Sequence, residues 1–243
     1  MTYEGLINRL KMTPKIFDIA LESFKLGVYA RQDKYLKYDA DFRSTLSKRD
    51  PAKGFTVTEE EAYTLYSAVK STAHIDGVIA EFGVYKGASA KIICETKGEK
   101  PLYLFDTFQG MPNEKISSSD NWRINTHRDT ALDAVKKYIA DYQNVKFFPG
   151  IFPGSASRYP ELADIRYSLV HLDVDLYQST LQGLEYFFPR LNIGGKLISH
   201  NYNLKKSDGG DTPGVKRAFD EYFSQQPSIV TEIAETQCII VKF

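Results

Sequence analysis

Four polar residues that could carry out catalytic or metal chemistry follow two apolar segments of this sequence. Asp173 and Asp175 end the first segment, and His200 and Asn201 end the second. The stretch between them, Leu176 to Phe188, has the spacing of a helix. A strand–helix–strand unit places its strands in parallel, with their carboxyl ends at one edge of a sheet. Because ligands bind beyond that edge, we expect the four side chains to converge on one site that binds a metal ion or removes a proton.

The composition of the chain excludes several classes of function. Its 243 residues contain 31 Lys and Arg against 31 Asp and Glu, so bulk charge gives no reason to expect nucleic acid or a membrane as a partner. No apolar run approaches the roughly 20 residues of a membrane span, and the first residues do not resemble a secretory signal. The two cysteines, Cys94 and Cys238, are expected as buried free thiols, which is typical of a cytoplasmic protein.

The residue pattern divides the chain into two parts. Residues 1–57 have helical spacing without strand alternation, so they are predicted as an N-terminal helical appendage that covers the site or forms a homodimer. Thr58 and Glu61 form a capping-box sequence at the start of the second part, residues 58–243. The long segment 107–128 is expected to act as a lid.

Strand and helix patterns alternate through the second part, which predicts an α/β fold. Strands are predicted at 78–83, 101–106, 145–149, 167–173 and 196–200, followed by a closing hairpin near 228–233 and 237–243. Helices are predicted near 87–96, 129–141, 155–163 and 176–188, and a final helix after Thr212 as N-cap and Pro213 in the first turn.

A glycine-containing turn after the first predicted strand indicates a cofactor site. In Glu81-Phe-Gly83-Val-Tyr-Lys-Gly87, the first glycine permits a sharp turn and the second permits close packing of the next helix. The amino end of that helix offers free N–H groups to an anion. Asp106, at the end of the next strand, is placed to accept both hydroxyl protons of a ribose. The combination favours a cofactor that contains a nucleoside.

The details of the turn favour S-adenosylmethionine as that cofactor. A nicotinamide dinucleotide needs a diphosphate cradle of the form Gly-x-Gly-x-x-Gly. The middle glycine is missing here, and Tyr85 and Lys86 occupy that space. Glu81 would repel a diphosphate but suits the amino group of S-adenosylmethionine. Asp106 suits its ribose.

Several motifs, taken in order, resemble those of the macrocin O-methyltransferase family. They are Glu81 to Gly87, Leu104 to Pro112, Leu172-Asp-Val-Asp-Leu-Tyr177, and Gly194-Gly195 through Tyr202. The resemblance implies a doubly wound, Rossmann-like class I methyltransferase sheet of seven strands, the last one antiparallel. It also implies transfer of a methyl group to a hydroxyl of a sugar or sugar-containing small molecule, such as a nucleotide-linked sugar or a glycosylated natural product.

The resemblance also implies roles for single residues. Glu81 and Gly83 would lie beside the methionine part of the cofactor, and Asp106 would bind its ribose. Typical members hold a divalent cation with an aspartate at the position of Asp173 and an Asp-Asp pair at the position of His200-Asn201, so this chain departs from the family pattern.

That departure leaves two chemistries open. Asp173, His200 and Asn201 could still hold a divalent cation such as Mg²⁺ or Mn²⁺, with His200 favouring the softer ion. Alternatively no metal binds, and His200 or Asp173 acts as the general base. The alternatives for the whole protein are methylation of a phenol or nitrogen, and a non-catalytic binding domain of the same fold.

The remaining predicted contacts fall into two groups. The further cofactor contacts are Tyr85, Gly87, Ser89, Thr107, Gly150, Ile151, Phe152 and Asp173. The acceptor contacts are Asp175, Tyr177, Trp122, His127 and Tyr202. Gly150, Ile151 and Phe152 follow the third strand of the sheet, where this fold usually binds adenine.

Overall fold

The computed structural model describes residues 40–50, 57–118, 120–123, 126–203, 212–224, 230–234 and 236–243. The chain divides into two compact units, Met1–Ser47 and Lys48–Phe243. Within the first unit, the described residues form helix α1, Ala40–Ser47. Most of the predicted appendage, and the basis for the predicted homodimer, lies outside the described residues. The boundary at residue 57 and the homodimer therefore stay predictions.

The second unit contains the alternating strands and helices that the sequence predicts. The strands are β1 Val78–Phe82, β2 Leu102–Asp106, β3 Val145–Pro149, β4 Tyr167–Leu172, β5 Leu191–Ser199, β6 Thr231–Ile233 and β7 Gln237–Val241. The helices are α2 Glu59–Ser71, α3 Ala88–Thr96, α4 Leu132–Tyr138, α5 Tyr177–Phe187 and α6 Pro213–Phe223. No helix among the described residues has the length and apolar character needed to cross a membrane.

The described strands form one seven-stranded sheet in the order β3-β2-β1-β4-β5-β7-β6. Strands β1 to β5 are parallel, and β7 runs antiparallel to both β5 and β6. The predicted fold class is thereby confirmed. The chain order reverses between β1 and β4, where a crevice opens beyond the strand ends, and such switch points are the usual ligand sites of open α/β sheets.

The burial of the central strands explains why they could be predicted from the sequence. Every residue of β1 and β4 is buried, as expected for parallel strands covered on both faces. One side of the sheet carries an aromatic cluster in which Phe152 stacks on Phe187 at 5.4 Å and lies 4.6 Å from Phe82. This cluster fixes the loop after β3 beneath the crevice.

Two predicted elements differ most from the structure, and the helix predicted near 129–141 is shorter, Leu132–Tyr138. The predicted helix 155–163 is wrong, since this segment forms two short 3-10 turns, Ala156–Arg158 and Pro160–Leu162. Pro160 has no N–H to donate and disfavours a helical conformation at Tyr159, so a continuous α-helix cannot form. Strand β5 begins at Leu191 rather than 196, because Leu191 pairs with Tyr167 of β4 and the N–H of Gly194 donates to the carbonyl of Lys242.

The capping box at the start of α2 is confirmed. The N–H of Thr58 donates to Oε2 of Glu61 at 2.9 Å, and the N–H of Glu61 donates to Oγ1 of Thr58 at 3.3 Å. Thr212 is also the residue before α6, but its hydroxyl donates to the carbonyl of Asn201 at 2.7 Å instead of capping the helix. The start of α6 is thereby tied to the end of β5. Both cysteines are free and buried.

Candidate active site

A cavity of about 320 Å³ opens beyond the carboxyl ends of the central strands. Its volume is at the lower end of the range of small-molecule sites. The predicted site residues that line it are Gly83, Tyr85, Asp106, Thr107, Trp122, His127, Gly150, Ile151, Phe152, Asp173, Asp175, His200 and Asn201. The structure therefore brings the glycine turn, the loop after β3 and the ends of β4 and β5 together around one space.

Five predicted residues do not line this cavity. They are Glu81, Gly87, Ser89, Tyr177 and Tyr202. Glu81 is fully buried with Oε1 3.0 Å from Nδ1 of His171, and burial raises the pKa of its carboxyl. The hydroxyl of Tyr177 donates to Glu221 at 2.6 Å. Their assigned contacts with cofactor or acceptor stay predictions.

The Asp106 carboxylate organises the turn after β1. Its Oδ2 accepts the backbone N–H groups of Val84 at 2.7 Å and Tyr85 at 3.0 Å, while Oδ1 accepts the N–H of Phe108 at 2.6 Å. Tyr85 and Phe108 both have a positive φ, +51° and +54°. The carboxylate thus holds two strained turns beside the cavity that it also lines.

A network of hydrogen bonds joins the polar residues after β4 and β5. Nδ1 of His200 lies 3.1 Å from Oδ1 of Asp173. The side-chain amide of Asn201 donates to Oδ1 of Asp175 and, at 3.4 Å, to Asp173. Nε2 of His127, on the opposite wall, is 3.8 Å from Oδ2 of Asp175. The four residues singled out from the sequence therefore do converge.

A fifth residue, Glu61 of α2, belongs to the same network. Its Oε1 lies 3.1 Å from Nε2 of His200, which is an ion-pair contact rather than an aligned hydrogen bond. Glu61 and His200 are 2% and 4% exposed, so this contact is shielded from water. Sequence reasoning found Glu61 as a capping residue and missed this contact. The only available signal was an acidic residue directly before the apolar face of a helix.

Charge interactions set the protonation of this network. Burial alone would lower the pKa of His200, but the carboxylates of Asp173 and Glu61 raise it well above its usual range. Burial favours the neutral form of Asp173 and of Glu61, yet the charged His200 ring lowers the pKa of both, for Glu61 to about 2. His200 is therefore an imidazolium between two carboxylates.

Asp175 differs from Asp173 and Glu61 because burial lowers the pKa of the imidazole that faces it, that of His127, and so disfavours a charged partner. Burial, followed by repulsion from Asp173, raises the pKa of its carboxyl to about 7, against a smaller lowering by the Asn201 amide and His200. Asp175 is only 9% exposed and faces the cavity. A buried carboxylate with a pKa near neutrality has the properties of a general base.

The donor set does not fit the divalent cation that the family resemblance implies. Both nitrogens of His200 face carboxylate oxygens, and an imidazolium has no lone pair to give to a metal. Within the described ranges, no group of three or more His, Cys, Asp or Glu side chains is placed to hold a metal ion. The metal site predicted at Asp173, His200 and Asn201 is thus not found in this part of the chain.

The segment after β2 forms the outer wall of the cavity. Trp122 and His127 lie there with ring centres 5.5 Å apart, and His127 also contacts the ring of Tyr85 at 4.8 Å. The segment is tied to the rest of the unit by Asp120, whose Oδ1 accepts the first N–H of α5 at 2.8 Å. Of the lining residues, Met111, Pro112, Thr130 and Ser179 were not among the predicted contacts.

Comparison with known proteins identifies a matching family and several similar proteins. The family described as macrocin-O-methyltransferase (TylF) matches residues 11–240. A Streptomyces olivaceus protein described as 8-demethyl-8-(2,3-dimethoxy-alpha-L-rhamnosyl)-tetracenomycin-C 4'-O-methyltransferase is 27% identical over 145 residues, 54% of each protein. Mycinamicin III 3''-O-methyltransferase of Micromonospora griseorubida is 27% identical over 180 residues, 66% of this chain and 65% of that protein.

The matched regions therefore span about half to two thirds of the length of these curated relatives. Among solved structures, that of the O-methyltransferase NovP superposes with a TM-score of 0.63 at 22% identity, covering 74% of this chain and 78% of that one. At this identity the similarity shows the fold.

Proposed function

The chain belongs to the macrocin O-methyltransferase family, and from that premise we propose that it transfers a methyl group from S-adenosylmethionine to a hydroxyl of a sugar or sugar-containing small molecule. The observation that carries this proposal is that one cavity is lined by Asp106, by the glycine turn and by Asp175. A cofactor site and a candidate base thereby share one space. The similarity to a methyltransferase that is named for a rhamnosyl substrate supports a sugar as the acceptor.

The residues on one side of the cavity suit the methyl donor. Gly83 and Asp106 form a polar part of the lining, where the methionine portion and the ribose would bind. Ile151 and Phe152 form an apolar part that suits adenine. When bound, S-adenosylmethionine would supply a methyl group attached to a positively charged sulfur. Transfer forms a bond from the acceptor oxygen to the methyl carbon and breaks the C–S bond, whose electron pair stays on sulfur as S-adenosylhomocysteine leaves.

The residues on the other side suit the acceptor. A sugar hydroxyl is a poor nucleophile near neutral pH, so its proton must be removed as the bond forms. Asp175 is the best placed acceptor of that proton, because its pKa of about 7 lets it be a carboxylate at neutral pH yet remain basic. This proposal moves the base role from the predicted Asp173 and His200 to Asp175. Trp122 and His127 provide an aromatic wall on which a sugar ring can pack.

Asp173 and His200 would then hold other groups of the site in position and would not accept the proton. Oδ1 of Asp173 is engaged by His200 and Asn201, and Nδ1 and Nε2 of His200 face Asp173 and Glu61. A ring that already carries both protons cannot accept another. These residues fix the end of β5 so that Asn201 donates to Asp175 and holds its carboxylate toward the cavity.

The test is transfer of labelled methyl from S-adenosylmethionine to a panel of acceptors. The panel contains nucleoside-diphosphate sugars, a rhamnosylated aglycone, a catechol and a primary amine. We expect label on a sugar hydroxyl, together with cofactor binding in calorimetry. Label confined to the catechol or the amine would contradict the sugar assignment, and cofactor binding without any transfer would favour a binding domain.

A further inference from the structure

Glu61, His200 and Asp173 form a line of alternating charges in which Glu61 and His200 are buried and Asp173 borders the cavity. The sequence patterns did not predict this arrangement. The two ring nitrogens of His200 lie 3.1 Å from Asp173 Oδ1 and 3.1 Å from Glu61 Oε1. We call this group the Glu61–His200–Asp173 array. A neutral imidazole has one N–H, so it could satisfy one of these carboxylates while repelling the other. When both carboxylates are ionised, the ring between them is most stable when it carries both protons.

The carboxylate of Glu61 is fixed by contacts from two directions. Its Oε2 accepts the N–H of Thr58 at 2.9 Å in the capping box, and its Oε1 accepts the hydroxyl of Thr236 at 2.5 Å. Helix α2 thus holds the side chain on one side, and the residue before β7 holds it on the other. Glutamine would serve equally well in a capping box. The capping box does not need the charge of Glu61, and that charge lies 3.1 Å from Nε2 of His200.

A divalent cation in a methyl-transfer site would place positive charge beside the carboxylate that follows β4, and would orient the groups around it. The array already supplies a positive charge 3.1 Å from that carboxylate. It also engages Oδ1 of Asp173 and both nitrogens of His200, which leaves a metal ion without these donors.

Resting on the proposed methyltransferase function, we propose that the His200 imidazolium, positioned by Glu61, takes the place of a divalent cation, so that this chain transfers the methyl group without a metal. Glu61 is then a positioning residue that acts through His200. It holds the second proton on the ring and thereby keeps Asp173 paired and Asp175 free to act as the base.

The first test measures metal dependence on the wild-type protein. After exhaustive dialysis against EDTA, we expect kcat to stay within about twofold of the untreated value, and addition of MgCl₂ or MnCl₂ to change it by no more than that. Titration of MnCl₂ alone into the protein should give no binding heat attributable to this site. Loss of activity on chelation that one of these cations restores would overturn the proposal.

The second test observes the ring directly and needs no acceptor. In ¹⁵N-histidine-labelled protein at pH 8, both nitrogens of His200 should give the signals of a protonated imidazolium, assigned by their absence in His200→Asn. A neutral His200 ring at pH 8 would overturn the proposal. If no acceptor is methylated at all, the proposed function fails, whereas this spectrum still decides the state of the array.

A pair of variants separates positioning from capping. Glu61→Gln keeps the shape of the side chain and its capping ability but removes the charge, so we expect kcat to fall at least about tenfold with the KM for S-adenosylmethionine within about twofold. Thr58→Ala weakens the same cap without touching His200, and should lower the melting temperature while leaving kcat within about twofold. Equal kcat values in the two variants would overturn the role of Glu61. Should Glu61→Gln fail to fold, the two wild-type measurements still decide the proposal.

Discussion

Asp175 and Asn201 are joined by a hydrogen bond between side chains whose backbones both have a positive φ, +56° and +58°. Such angles are strained for residues other than glycine, although Asp and Asn tolerate them best. Strain of this kind persists where surrounding contacts enforce it, and it concentrates at functional sites. Here it turns the residues after β4 and β5 toward the same cavity, so their pairing is set by the backbone.

The first prediction concerns Asp175 as the base. Replacement by Asn keeps the size of the side chain but removes its ability to take a proton, so kcat should fall about 10²- to 10⁴-fold. Binding of S-adenosylmethionine, measured by calorimetry, should change no more than about threefold. Asp220→Asn, a change at an exposed carboxylate, is the control and should leave both quantities unaltered. A kcat for Asp175→Asn within about tenfold of wild type would assign the base elsewhere.

The second prediction is the pH dependence of the reaction. Asp175 acts as a base only when it is ionised, and burial together with Asp173 raises its pKa to about 7. The value of kcat/KM should therefore rise with pH through about 7 and then level off. The groups that face Asp175 are Asp173, His200 and Asn201 on its own edge and His127 and Asp120 on the opposite wall. If kcat/KM instead rose with a midpoint near pH 4, the base would be a carboxylate in an ordinary environment, which would contradict this assignment.

The third prediction links the same residue to stability. In the unfolded chain Asp175 loses its proton near its ordinary pKa of 3.8, whereas in the folded protein it keeps the proton until about pH 7. The unfolded state therefore binds fewer protons across this window, and the contribution of Asp175 to folding falls as pH rises from about 4 to 7. Asp175→Asn should therefore raise the melting temperature more at pH 8 than at pH 4. Each kcal/mol of added free energy of unfolding corresponds to a shift of about 2–4 °C. An equal shift at the two pH values would contradict the raised pKa.

The sequence predicted the strands because their signals are local. The segment before Asp173 is largely apolar, as buried parallel strands are, and a carboxylate follows it. The order of the elements then determines which strand ends meet, so Asp106, Asp173 and His200 could be assigned to one edge from topology alone. The prediction of a helix over 155–163 is wrong because Pro160 interrupts a segment whose other residues are compatible with a helix.

The direction of single side chains could not be predicted in the same way. Tyr177 follows Asp175 closely in sequence, yet its hydroxyl reaches Glu221 on α6 rather than the cavity. The contact between Glu61 and His200 depends on how α2 packs beside the sheet, which no local pattern encodes. Sequence patterns therefore located the site, while the proposed base and the proposed cation could be recognised only from the tertiary structure.

The fourth prediction concerns Asp106. Its replacement by Ala removes the acceptor for three backbone N–H groups, those of Val84, Tyr85 and Phe108, as well as the proposed ribose contact. The dissociation constant for S-adenosylmethionine should rise at least about tenfold, equivalent to roughly 1.4 kcal/mol. The free energy of unfolding should fall by about 1–3 kcal/mol, because donors lose their partner. Asp141→Ala, at an exposed position, is the control. An unchanged dissociation constant would remove Asp106 from the cofactor site.

The fifth prediction concerns the contact between Gly83 and the backbone of Asp173. Gly83 has a φ of +92°, and a Cβ there would lie 2.0 Å from the carbonyl oxygen of Asp173. Gly83→Ala must therefore displace either the cofactor turn or the strand end that carries the acceptor side of the site. We expect the free energy of unfolding to fall by at least about 3 kcal/mol, well above the usual effect of a single substitution.

The matched control for this variant is Gly98→Ala. Gly98 also has a positive φ, +58°, but nothing lies within 4 Å of the added Cβ. Its cost is then the backbone strain alone, about 1–2 kcal/mol. Chemical denaturation of both variants isolates the contact with Asp173 as the difference between them. Equal losses would show that the turn after β1 can move without disturbing Asp173, and that the cofactor and acceptor sides of the cavity are not coupled through Gly83.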